Sequence, residues 1–76
     1  MKKALAKTLF DEGVLARAIA TKDLKEGYNL GFTRKSCLKE NEFLETERGE
    51  IRAFKTADAV LNMAQQIGFT QVEFFV

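Results

Sequence analysis

The sequence predicts an α+β domain: an N-terminal helix, an antiparallel sheet of four to five strands, and a C-terminal helix packed on one face. Three observations predict it. Ala57, Val60, Leu61, Ala64 and Ile67 follow the i, i+3, i+4, i+7, i+10 spacing of a helix stripe. Residues 28–35 and 43–54 alternate with the period of two that belongs to strands. Residues 71–76 close the chain with a short apolar run rich in strand-forming residues. At 76 residues the chain is one domain, 1–76, near the lower limit for a self-sufficient core.

The elements follow in order. Residues 2–12 form a short helix with Ala4, Leu5, Leu9 and Phe10 as its apolar stripe, and Gly13 takes the left-handed conformation that ends it. Residues 14–22 then form a strand. The competing assignment is one long helix to about Leu24, because residues 15–20 are rich in alanine. Gly13 inside that helix would cost about 1 kcal/mol, which favours the strand. Residues 23–27 are a polar turn. In residues 28–35, Tyr28, Leu30, Phe32 and Arg34 share one face and Asn29, Gly31, Thr33 and Lys35 the other. Gly31 marks a bulge or a close contact. Residues 36–42 read as a polar connection.

Residues 43–47 and 50–54 form a second hairpin about Arg48-Gly49. A two-residue loop pairs Glu45 with Arg52, Phe43 with Phe54 and Thr46 with Ile51; each such pair contributes roughly 0.2–1 kcal/mol. It also sets Glu47 opposite Glu50, which a three-residue loop would relieve. Thr56 is an N-cap, Asp58 complements the helix dipole, Gly68 ends the helix and Phe69 packs back over Ala64. A final strand needs cover on both faces or a partner strand from another subunit.

Composition narrows the function. The hydrophobic fraction of 46% and charged fraction of 30% describe an ordinary globular domain. The net charge of +1 is not that of a dedicated nucleic-acid binder, although all twelve Lys and Arg fall within residues 1–55. With one cysteine and no histidine, there is no Cys/His zinc site, no Cys-His nucleophile pair and no internal disulfide. Cys37 reads as a structural thiol, and a small fold without disulfides suits a reducing compartment. The apolar run after Lys2-Lys3 is broken by Lys7 and stopped by Asp11-Glu12, so it is not a signal peptide. No window approaches the ~20 apolar residues of a membrane span. The expected location is the cytoplasm.

The same inventory argues against an enzyme. Glu40, Glu42, Glu45, Glu47 and Glu50 are spaced as a solvated strand face, the glycines form no phosphate-binding loop, and no cofactor or metal is implied. The candidate binding residues are the cations near the sheet and hairpin: Arg34, Lys35, Arg48, Arg52 and Lys55. Arg52 has a structural alternative in pairing with Glu45. Arg48, at the hairpin tip, has no evident structural task.

The helix–strands–helix order invites comparison with double-stranded-RNA-binding domains, but the basic start of that family's last helix is missing. The string Leu44-Glu45-Thr46-Glu47-Arg48-Gly49-Glu50-Ile51-Arg52-Ala53-Phe54-Lys55-Thr56-Ala57-Asp58-Ala59 resembles the L-x-T-x-R-G-x-x-R-x-F-x-[ST]-x-D-A signature of the small ParC-type partition-associated proteins of bacterial plasmids, which are unrelated to the topoisomerase subunit of that name. Residues 67–74 are similar to that family's closing strand, and residues 9–18 to its start; residues 22–42 match only loosely. The resemblance implies a plasmid-maintenance accessory with a partition ATPase as its protein partner. Two further partners are consistent with the residues themselves: a second copy of the chain through a sheet edge or the C-terminal strand, and, as the alternative function, a nucleic acid on the basic side.

Overall fold

The computed structural model describes residues 1–25 and 27–75. Glu26, in the expected turn, and Val76, at the end of the expected last strand, lie outside the described residues. In chain order the elements are α1 (Lys3–Asp11), β1 (Leu15–Lys22), β2 (Tyr28–Arg34), β3 (Cys37–Phe43), β4 (Ala53–Phe54), α2 (Ala57–Ile67) and β5 (Glu73–Phe75). The sheet runs β3-β2-β1-β5, and β4 also pairs with β2. The fold is α+β, with both helices on one side of a mixed sheet.

Helix α1 ends where glycine allows it. The Gly13 N–H donates to the Phe10 carbonyl and the Val14 N–H to the Leu9 carbonyl, with Gly13 at φ 75°, and the chain enters β1 rather than continuing the helix. The inward stripe of α1 is the buried Ala6 with the partly buried Leu9 and Phe10, while Leu5 is 47% exposed. The stripe is therefore rotated from the expected one: a helix resting on α2 along one narrow line buries positions 6, 9 and 10, not 4 and 5.

Strand β1 is irregular between Leu15 and Arg17. The extra residue lets Leu15 and Ala18 both face the helices while Arg17 faces away. The core lies between Leu15, Ala18, Ala20, Leu30 and Phe32 of the sheet and the α2 stripe Val60, Met63, Ala64 and Ile67. Met63 joins this stripe, whereas Ala57 and Leu61 are only half-buried. Thr56 caps α2 by accepting from the Ala59 N–H at 3.1 Å. Phe69 follows the helix and wedges between Phe10, edge-on at 4.7 Å, and Phe32, stacked at 5.7 Å.

Strand β5 runs parallel to β1, pairing Ile19 with Glu73, Ala20 with Phe74 and Thr21 with Phe75. The other pairings are antiparallel as expected. The crossover explains the exception. Strand β4 is antiparallel to β2 and so runs with β1; α2 returns the chain, and the strand after it must run in the direction of β4.

Two local expectations are corrected. Residues 37–43, expected to be mostly connection, form β3, an edge strand with Cys37 through Asn41 exposed, so burial wrote no alternation into it. Cys37 is accordingly an exposed thiol. The second hairpin is shifted by one residue: Glu45 bridges Ile51, the Arg52 N–H donates to the Leu44 carbonyl at 2.9 Å, and the Thr46 N–H donates to the Glu50 carbonyl at 2.7 Å. The loop is Glu47-Arg48-Gly49, which separates Glu47 from Glu50. Each pair expected from a two-residue loop is consequently replaced. Phe43 faces Gly31 and Phe54 faces Tyr28, because β3 and β4 lie end to end along the outer edge of β2.

Candidate interaction surface

The five cations singled out in the sequence do not form one strip. Arg34 is engaged at the end of β2, where Nε donates to Glu42 Oε1 at 2.5 Å and Nη2 to Oε2 at 3.2 Å. That hydrogen bond, helped by the opposite charge, holds the Glu42 carboxyl below the usual carboxylate range and raises Arg34, while partial burial of the carboxyl opposes the shift. Lys35 lies beside Arg34 in the turn. Arg52 and Lys55 flank β4, which meets Tyr28 at the opposite end of β2, and Arg48 stands in the exposed loop before it. The six-residue span of β2 between the two groups is about 20 Å. Arg52 does not meet Glu45: its guanidinium lies over the Phe54 ring at 4.9 Å, and Glu45 binds the Met1 ammonium at 2.9 Å. Arg48 and Lys55 are exposed and appear in no ion pair among the described residues.

A more distinctive surface lies elsewhere. Among the described residues β5 pairs only with β1, so its outer edge is open. Its two aromatic rings point to opposite faces: Phe74, beside Ala20, lies on the helix side and meets Tyr28 edge-on at 5.6 Å, while Phe75 lies on the far side. They are 39% and 51% exposed. Among its described residues only Glu73, at its start, carries a charge, whereas edge strands are commonly guarded by lysine or proline.

The face of the sheet away from the helices is only partly covered. Gly31 lies under the Phe43 ring; a Cβ at this position would stand 3.1 Å from that ring and 3.4 Å from Ile19. The close approach explains how Ile19 is 4% exposed with no helix above it. One register row further, Arg17 of β1, Thr33 of β2 and Asn41 of β3 stand side by side. Arg17 reaches Glu73 of β5 at 3.7 Å. Beside this row is a notch of about 190 Å³ bounded by Ile19, Lys39 and Phe75. A larger cleft of about 360 Å³ opens where β1 and the segment before β5 diverge, lined by Phe10, Leu15, Phe69 and Gln71 among others. Sequence reasoning placed Gly31 and Thr33 on one strand face, but only the pairing register brings Arg17 and Asn41 alongside.

No group of three or more His, Cys, Asp or Glu converges as a metal site among the described residues, and none of the described helices is long and apolar enough to cross a membrane. Comparison with protein-family models, curated proteins and solved structures finds no match to this chain.

Proposed function

We propose that the chain is a non-enzymatic interaction module that works by accepting a partner strand on the β5 edge, in the service of plasmid partition or maintenance. The observation that carries the interaction reading is the open β5 edge with Phe74 and Phe75 half-exposed on its two faces. A strand added there would gain main-chain hydrogen bonds and cover both rings. The rings alone are insufficient. Their exposed portions, together about 180 Å², correspond to about 4–5 kcal/mol, which meets only the low end of an association cost of about 4–15 kcal/mol. The main-chain bonds and flanking contacts supply the remainder, which suits an edge strand. The plasmid-maintenance part is supported by the resemblance of residues 44–59 to the partition-associated signature, and it makes a segment of a partition ATPase, or a second copy of the chain, the partner.

Sedimentation across a concentration series, alone and with a purified partition ATPase, tests the reading. The expected outcome is association that Phe74→Lys/Phe75→Lys abolishes while the circular dichroism spectrum is preserved. A chain that remains an 8.6 kDa monomer and does not bind the ATPase counts against it. Duplex binding that weakens steeply with salt and disappears in Arg48→Ala/Arg52→Ala would replace it with the nucleic-acid alternative.

A further inference from the structure

The register of the sheet fixes which main-chain groups β5 presents at its open edge. The Asp23 N–H donates to the Gly27 carbonyl at 3.0 Å, in the same register as Thr21 with Asn29 and Ile19 with Gly31. Hydrogen-bonded pairs alternate along an antiparallel ladder, so Ile19 and Thr21 turn their main-chain groups to β2 and Ala20 turns its own to β5. Ala20 stands opposite Phe74. In a parallel ladder a residue bonds to the neighbours of the residue it faces, here Glu73 and Phe75. The N–H and carbonyl of Phe74 therefore point outward. Tyr28 meets the Phe74 ring from across β1 at 5.6 Å, which leaves the outer side of the ring toward the open edge.

We infer that the strand accepted on this edge is β5 of a second copy of the chain, antiparallel and centred on Phe74; the inference rests on the strand-addition reading above. A two-fold axis perpendicular to the sheet generates this pair and keeps the helices of both copies on one side. The two Phe74 residues then exchange both N–H···O bonds, and their rings lie side by side on the helix side, each backed by its own Tyr28. Glu73 falls opposite Phe75 of the second copy and keeps its own Arg17, 3.7 Å away. An axis through Glu73 would instead set two carboxylates opposite each other, which destabilises an antiparallel pair. Area favours a second copy over an unrelated strand. Either one covers the exposed ring surface of about 180 Å², but a second copy brings an equal aromatic surface of its own to be covered. A seam this short stays below the ~1,200 Å² of a standard interface, so the dimer belongs to the weak, concentration-dependent class.

The test uses the full chain made by ligating peptides 1–36 and 37–76 at Cys37, with a main-chain N-methyl group at chosen positions. Sedimentation from about 10 µM to about 1 mM is expected to show a monomer–dimer equilibrium. N-methylation at Phe74 removes an outward donor and leaves every side chain in place; it should weaken the dimer at least about tenfold without lowering the urea midpoint of the monomer. N-methylation at Phe75, whose N–H is turned to β1, should lower that midpoint. A chain that stays monomeric to about 1 mM yet binds the partition ATPase through the β5 edge, with loss of binding on N-methylation at Phe74, overturns the self-pairing and leaves the strand-addition reading standing. A dimer undiminished by N-methylation at Phe74, or a monomer that binds nothing on this edge, overturns both.

Discussion

Gly27 and Gly49 have almost the same backbone angle, φ 88° and 87°, yet their surroundings differ. A Cβ at Gly49 would meet nothing within 4 Å, while at Gly27 it would stand 2.1 Å from the Phe54 carbonyl oxygen. Gly49→Ala should therefore cost only the left-handed conformation, about 1–2 kcal/mol. Gly27→Ala should cost distinctly more, because the β2–β4 pairing must shift as well. Urea midpoints for the two variants check the ordering, and equal losses would refute the role assigned to the Phe54 contact. Both glycines stand out in the sequence as turn residues. The difference between them does not, since it depends on a carbonyl twenty-seven positions along the chain. The partners of Arg52 and Glu45 were hidden for a related reason. Alternation identifies two strands, but one residue more or less in a loop exchanges every cross-strand neighbour.

Among the elements, α2 was the most legible. Its cap, stripe and terminal glycine are local signals, and a helix satisfies its own hydrogen bonds. Strand β3 was the least legible, because an exposed edge strand needs no buried face and leaves no hydrophobic period in its residues. What ties it to β2 is partly the Arg34–Glu42 pair. The folded-state pKa of Glu42 is depressed, so the pair's contribution is complete above the ordinary carboxylate value of about 4.3 and is lost as the pH falls through the lower, folded value. Glu42→Gln should weaken the chain at neutral pH and flatten the acid limb of its stability profile. Urea midpoints between about pH 7 and about pH 3 measure both effects; an acid limb as steep as that of the parent chain would show that Glu42 does not titrate with folding.

At the scale of the whole molecule, stability depends on one thin core. A domain of this size retains only about 3–5 kcal/mol, and truncating a fully buried phenylalanine costs about 3–5 kcal/mol. Phe32 is fully buried between β2's neighbours and Phe69. Phe32→Ala should therefore lose its cooperative thermal transition, whereas Phe75→Ala, at a half-exposed position, should stay within about 0.5 kcal/mol of the parent. Far-UV circular dichroism distinguishes the two, and a cooperative melt for Phe32→Ala would show that the core is not organised around it. Local signals were enough for the α+β class, both helices, the second strand, the second turn and the strand-forming end, and they favoured a strand over a helix for residues 14–22, because caps, turn glycines and hydrophobic periods act over a few residues. The hairpin register, the existence of β3, the parallel course of β5 and the row Arg17–Thr33–Asn41 emerge only in the folded chain. Each of these is a pairing between distant segments, and the edge or face on which they meet is set by how the chain crosses over the sheet.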